Sequence, residues 1–331
     1  MDNVTHALVG AALAQSGLRR VTPLATATLF IAANLPDSDA LIFLTGEHYE
    51  YGFRRGWTHG LPALALWPFV LTALVLAWDR WVRRRRDAAA VPARGAALLW
   101  LAALALLTHD FLDYLNSYGM RWLMPFNDAW SYGDTLEIVD PWIWLALGLG
   151  WYWSRRRSKR GESGAGRPAG WALALVAAYI AGMGGTGLAA RAVAHRELSR
   201  AGQTVSRLMA APVMANPFRR RIVADVGTGY ALAAVDWLRR PAFTFDSVGF
   251  VSRGEDQPGV AEAARTGDGA VFLRWARFPF FVAERGRGRA VVRMVDARYT
   301  LNPEAMFGAL TVPIPDALPS QGAPTNQERH Q

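Results

Sequence analysis

The chain of 331 residues contains no cysteine. That excludes disulfides, a thiolate metal site and a cysteine nucleophile, and it is compatible with either side of a bacterial membrane. The first residues, Met1-Asp2-Asn3-Val4-Thr5-His6, lack the basic stretch that opens a cleavable secretory signal, so this segment is expected to be retained. A net charge of +9 is not accompanied by a basic face with a nucleic-acid-binding motif. Most arginines of the first half flank apolar runs instead, so the charge reads as membrane orientation and nucleic acid is not expected as a partner. Gly227-Thr228-Gly229 lacks the strand, helix and acidic partner of a dinucleotide site and reads as a turn.

Long apolar runs are what the chain does have. Val4 to Gly17 and Val21 to Ala33 are both short of the roughly 20 residues that span a bilayer, and together they read as a tight hairpin turning at Arg19-Arg20. Leu61 to Val82, Ala96 to Leu115, Pro141 to Trp153 and Trp171 to Ala190 read as transmembrane helices. The glycines between Gly182 and Gly187 suggest close helix packing. Beyond Arg191, where a helix to Met209 is expected, the composition becomes that of a soluble domain. Arg221 to Val235, Phe243 to Val251, Ala270 to Phe281 and Ala290 to Leu301 cluster β-formers between turns. The expected fold is therefore a mainly α polytopic membrane domain, residues 1–190, built from the hairpin and about four transmembrane helices. A small β-rich (α+β) soluble domain, 191–312, and a Pro/Gln-rich disordered tail, 313–331, complete it.

Threading these spans puts Arg19, Arg20, Arg80, Arg83 to Arg86, Arg94 and the Arg155 to Arg167 cluster on one side, which the positive-inside rule makes cytoplasmic. The expected location is the bacterial inner membrane, multi-pass. The N-terminus, the loops and the C-terminal domain on the opposite side would be periplasmic, and membrane lipids would be the immediate partners.

The ionisable residues at the external ends of these segments carry the chemistry. Charged groups near hydrocarbon are costly and are functional by default. His109 and Asp113 are four apart and share a helix face. His6, Asp37, Asp39 and His59 fall at the same external depth. Three of the six histidines follow threonine, at Thr5-His6, Thr58-His59 and Thr108-His109; a neighbouring hydroxyl can hold an imidazole in place. His and Asp ligands suit Zn²⁺, with Mn²⁺ or Fe²⁺ as alternatives. Six such residues exceed one tetrahedral shell, so one or two ions are expected, with an aspartate bridging in the second case. Asp134, Glu137 and Asp140 lie in the external loop 116–140 and are candidates for further ligands or a general base, with Asp110 alongside. Asp140-Pro141 reads equally as a helix start. Arg54, Arg55 and Arg121 are candidates for holding a phosphate or an anionic head group, or for anchoring at the interface. His48 reads as a loop residue.

These residues also carry a resemblance. Met1-Asp2-x-x-Thr5-His6, Asn34-Leu35-Pro36-Asp37-x-Asp39, Arg55-Gly56-x-Thr58-His59, Thr108-His109-x-x-x-Asp113 and Ser117-Tyr118-Gly119 through Asp140-Pro141 resemble the YdjM-like family of inner-membrane proteins over residues 1 to 150. Its members are described as metal-dependent hydrolases, which implies that activity here. Where that family commonly has a His before the Arg-Gly pair, this chain has Arg54. The order His, Asp, His, His-x-x-x-Asp is also similar to the zinc-dependent phospholipase C and S1/P1 nuclease group, which implies a multi-zinc phosphodiesterase site. A further His-x-x-x-Glu pair is missing.

The function expected is hydrolysis of a phosphoester or lipid head group by metal-activated water. The alternative is a non-catalytic envelope or stress-response protein with a structural metal and a partner-binding C-terminal domain. A transporter fits less well, because the polar groups collect at one face without a midplane relay.

Overall fold

The structure is a computed structural model that describes residues 1–45, 50–286 and 289–314. The chain forms two compact units, Met1–Val226 with Ala231–Gly249, and Gly227–Tyr230 with the chain from Phe250 onward.

The first unit opens on helix α1 (Asn3–Ser16), which Asp2 caps by accepting from the backbone N–H groups of Val4 and Thr5 at 2.9 and 3.0 Å. Helix α2 (Ala25–Ala32) returns beside it. Gly10 makes that approach possible, because a Cβ there would stand 2.8 Å from the Leu29 carbonyl oxygen. The expected hairpin is thus present, with a 3₁₀ turn at Leu18–Arg20. A 3₁₀ segment, Pro36–Thr45, and a short helix α3 (Glu50–Phe53) lead to α4 (Leu61–Trp78). A π turn, Asp79–Arg83, and α5 (Arg84–Arg86) end that rod; α6 (Gly95–Tyr114) runs back along it. Helices α7 (Pro141–Lys159) and α8 (Arg167–Arg200) form a second antiparallel pair against α1.

Among the described residues, three helical stretches are long and apolar enough to cross a membrane: Leu61–Arg86, Gly95–Tyr114 and Arg167–Arg200. Helix α7 is not among them, since its apolar run gives way to Arg155, Arg156, Arg157 and Lys159. Leu66, Phe69 and Leu74 of α4 are all more than 60 % exposed, an apolar face that suits lipid rather than water. Between helices the contacts are small. Ala12, Ala14, Ala25, Ala32, Ala102 and Ala105 are fully buried, and short side chains let backbones approach where packing rather than water drives association.

The two ends of this bundle differ in chemistry. The backbone N–H of Arg94 donates to Thr22 Oγ1 at 2.8 Å and its guanidinium to the Val21 carbonyl, joining the α1–α2 turn to the start of α6. Arg19 donates to Ser158 near the end of α7 at 2.8 Å. The arginine-bearing ends of these helices therefore meet, and His6, His59, His109 and Asp113 lie toward the opposite ends of theirs.

Helix α8 does not stop at the composition change near residue 190. It continues to Arg200, and Ala190, Ala194 and Leu198 enter the core of a sheet through Leu208, Ala210, Ile222 and Ala224. That sheet has the order β1-β2-β3-β4: β1 (Arg207–Val213), β2 (Asn216–Asp225), β3 (Gly229–Asp236) and β4 (Phe243–Ser252). Strand β1 takes the last residues of the helix expected up to Met209. The glycines of α8 do not pack against another helix. Gly182 and Gly185 have open space beside them, while a Cβ on Gly187 would stand 3.7 Å from the guanidinium of Arg220. Arg220, fully buried, donates to the carbonyls of Asp134, Thr135 and Met183 and to Thr186 Oγ1, joining β2 to α8 and to the loop before α7.

The second unit holds the antiparallel sheet β5-β6-β7: β5 (Pro279–Gly286), β6 (Arg289–Asp296) and β7 (Ala309–Ile314). Helices α9 (Val260–Arg265) and α10 (Gly267–Trp275) accompany it. Ala270 to Trp275, expected as strand, is helical because Thr266 caps α10, accepting from Gly269 N–H at 3.1 Å. The expected tail lies outside the described residues from position 315, and β7 covers its first positions.

Candidate metal centre

His109 and Asp113 project from α6 one turn apart, as their spacing requires. His59 stands just before α4, and Asp37 opens the 3₁₀ segment after α2. These four residues offer ligand atoms that all lie within 4.8 Å of one another, and none is more than 4 % exposed.

The hydrogen bonds assign the imidazole tautomers. His109 Nδ1 is 2.8 Å from the Ala33 carbonyl oxygen, which only accepts, so Nδ1 carries the proton. Thr58 Oγ1 donates its proton to Asp39 Oδ2 at 2.9 Å and therefore accepts from His59 Nδ1 at 2.8 Å. Both Nε2 atoms are left with lone pairs, and they face each other at 3.2 Å. Asp113 Oδ2 is 3.4 Å from His59 Nε2 and 3.8 Å from His109 Nε2. Burial, reinforced by the charges of His109 and Arg55, holds the His59 imidazole well below its usual pKa, which keeps it in the neutral, ligating form. Two neutral nitrogens and two carboxylates are a complete tetrahedral donor set for Zn²⁺, and also suit Mn²⁺ or Fe²⁺.

The remaining residues singled out by sequence divide around this group. His6 lies at its edge: its ring stacks on His109 at 3.8 Å between centroids, and Nε2 is 3.2 Å from Asp113 Oδ1. Asp39 does not join the four. It accepts from Thr58 Oγ1 and from the Arg55 backbone N–H, and it stands 3.5 Å from His59 Nδ1, so it orients His59 from behind. Of the three threonines, only Thr58 touches its histidine. Thr5 Oγ1 donates to Asp2 at 2.6 Å, and Thr108 Oγ1 to the Ala105 carbonyl at 2.8 Å. Asp110 is buried beside the group but outside it.

The three loop carboxylates sit elsewhere. Asp140 caps α7, accepting from Trp142 and Ile143 N–H at 3.0 and 3.3 Å and from Tyr179 at 3.0 Å. Asp134 is 3.8 Å from Arg191. Glu137 is half-buried, and burial raises its pKa despite the charge of Arg221. The arginines differ among themselves. Arg55 is buried; a terminal nitrogen donates to Asp113 Oδ1 at 3.2 Å, Nε lies in ion-pair contact with Oδ2 at 3.1 Å, and the Met1 N-terminal amine also contacts Oδ1. Arg121 is buried against the Gly52 and Arg54 carbonyls, with its guanidinium 4.9 Å from the Trp130 ring centre. Arg54 is the most open, and pairs with Asp37 at 3.5 Å and Asp39 at 3.3 Å. His48 lies outside the described residues.

Sequence reading missed Asn116. Its Oδ1 accepts from Arg55 at 2.9 Å and from the Tyr118 and Gly119 N–H groups, fixing the arginine that holds Asp113. An Asn just past a helix end and before Tyr-Gly is the signature of an Asx-turn, and that signal was available.

Fold and site together define an α-helical membrane protein with a buried His/Asp group positioned to bind a metal ion. The chain belongs to the YdjM inner membrane protein family, whose profile matches residues 1–192. It is also similar to the uncharacterized protein YfhP of Bacillus subtilis (strain 168), at 27% identity over 157 residues, which is 44% of this chain and 44% of that protein. The chain thus spans less than half the length of that relative in the match. No solved structure matches the chain.

Proposed function

We propose that this protein is a multi-pass inner-membrane, metal-dependent hydrolase that acts on a phosphoester or lipid head group. The observation that carries this reading is the pair of unprotonated nitrogens, His59 Nε2 and His109 Nε2, 3.2 Å apart beside the carboxylates of Asp37 and Asp113. Lone pairs and carboxylates converging in a buried place call for a cation. Zn²⁺ in such a donor set supplies Lewis acidity and activates water. The protein's own residues set the stage: Ala33, Thr58 and Asp39 fix the two rings, and Arg55 fixes Asp113. Arg54, beside Asp37 and partly open, is the group placed to meet an anionic substrate. The arginine-rich helix ends favour a cytoplasmic position by the positive-inside rule, which leaves the metal centre on the periplasmic side within reach of head groups.

The test is metal analysis of the detergent-purified protein, then a screen of phosphoesters and phospholipids. Bound zinc and an activity abolished in His109→Ala are expected. A protein purified without metal, or an undiminished His109→Ala activity, would overturn the reading.

The complete burial of all four ligands favours a second reading, a structural metal in an envelope protein. X-ray absorption separates the two, since a catalytic ion keeps a position for water and a structural ion is saturated by protein ligands.

A further inference from the structure

The arginine-bearing end of the bundle holds a cavity of about 240 Å³. Its walls include Gln15 and Ser16 at the end of α1, Arg19 and Arg20 in the turn after it, and Gly166 and Arg167 at the start of α8. His6 lies in the first turn of α1 and Gln15 in its last, so the cavity and the metal centre sit at opposite ends of that helix. The two helix ends that wall it meet closely: a Cβ on Gly166 would stand 2.7 Å from the Gln15 carbonyl oxygen.

The cavity is positively charged. Three arginines line it and no carboxylate does. Arg19 donates to Ser158, whereas the guanidinium groups of Arg20 and Arg167 make no hydrogen bond or ion pair among the described residues. Glu162 is engaged by Arg157 and Arg160. Helix α8 presents its positive end, without a capping side chain and without an acidic residue in its first turn. The negative end of α1 opposes it, but each helix end carries only about half a charge, so the arginines decide the sign. The cavity also holds an acceptor. Gln15 is 8 % exposed, and its side-chain oxygen is buried with no hydrogen-bond partner among the described residues. A ligand's O–H or N–H would remove the cost of that unpaired atom.

We propose that this cavity binds a phosphate group with a hydrogen-bond donor beside it, the chemistry of a glycerol phosphate head group. Guanidinium forks match phosphate oxygens, and the Gln15 oxygen accepts from a glycerol hydroxyl. The volume is below the roughly 300–1,000 Å³ of a pocket that swallows a drug-sized ligand, so a head group enters and acyl chains stay outside. On the orientation proposed above, the cavity faces the cytoplasmic leaflet, whose lipids are anionic. The inference does not depend on the metal centre.

The test is calorimetric titration of the full-length protein in detergent with dioctanoyl phosphatidylglycerol, dioctanoyl phosphatidylcholine and glycerol phosphate. One phosphatidylglycerol per chain is expected, bound about tenfold more tightly than phosphatidylcholine, whose choline has no donor for Gln15. Glycerol phosphate separates the sources: weaker binding assigns the ligand to the membrane, and equally tight binding assigns it to a soluble phosphoester. Arg20→Gln combined with Arg167→Gln, both exposed, should weaken binding about tenfold or more. Arg85→Gln combined with Arg86→Gln removes the same charge at exposed positions outside the cavity walls, and should change binding by less than about twofold. Gln15→Met, close in shape, should abolish the preference for phosphatidylglycerol over phosphatidylcholine. No saturable binding, equal losses in the two double variants, or an unchanged preference in Gln15→Met would overturn the inference.

Discussion

His59 and His109 point unprotonated nitrogens at each other across 3.2 Å, although 50 residues separate them in the chain. The start of α4 and the end of α6 are thus held in a geometry that repels itself without a cation. Metal binding and the packing of these helices should therefore be linked. Removing the metal with a chelator is expected to lower the melting temperature of the detergent-purified protein. At a free metal concentration about 100 times Kd the bound ion contributes about 2.7 kcal/mol. An unchanged melting temperature, with metal loss verified, would sink this idea.

Asp39 stands behind His59, directly and through Thr58, and shares Arg54 with Asp37. Asp39→Asn should weaken metal affinity by about 10- to 100-fold without abolishing binding, as expected for a group that orients a ligand. Competition against a chelator measures this. Total loss of binding would place Asp39 among the ligands.

Arg55, itself buried, holds Asp113 with one hydrogen bond to Oδ1 and an ion-pair contact of Nε with Oδ2. Arg55→Met leaves that carboxylate with the Met1 N-terminal amine and the metal for its counter-charge. The metal-free protein should lose about 3–5 kcal/mol of stability, and the metal-loaded protein clearly less. Unfolding with and without chelator reads the difference, and equal losses in the two states would contradict the pairing.

Glu137 has a pKa raised by burial, with Asp140 adding to the effect and Arg221 opposing it. The folded state therefore binds its proton more tightly than the unfolded state. That contribution is fully present below the unfolded value and is lost as pH rises through the folded one. Glu137→Gln should raise the melting temperature at pH 8 relative to the unaltered protein, and not at pH 4. A melting-temperature difference independent of pH would refute it.

Asp140 is bonded as a helix cap. Asp140→Ala should cost about 1 kcal/mol of stability while metal content and any hydrolytic activity stay as they were. Activity lost in a folded, metal-loaded Asp140→Ala protein would return Asp140 to the chemistry.

Much of the site was legible in local patterns. The His-x-x-x-Asp spacing puts His109 and Asp113 on one helix face wherever the helix goes, and the apolar runs define the helices that carry them. The choice between Asp37 and Asp39 was not legible. Two carboxylates two residues apart are equivalent as a string, and only the path of the Pro36–Thr45 segment turns one toward the histidines and the other toward Thr58. Asp140 shows the same limit, since Asp-Pro before an apolar run serves a cap and a catalytic loop alike.

The sequence by itself determined the ligand types, the helices that bear them and the arginine-rich helix ends, because side-chain chemistry and hydrophobic periodicity are properties of neighbours in the chain. Tertiary structure alone decided the tautomers and the pairings. The Ala33 carbonyl that sets the His109 proton lies 76 residues away, and Arg55 reaches Asp113 across 58. Contacts of that kind depend on how helices pack to within fractions of an ångström. No local pattern encodes that distance, and it is the distance at which lone pairs become a site for a metal.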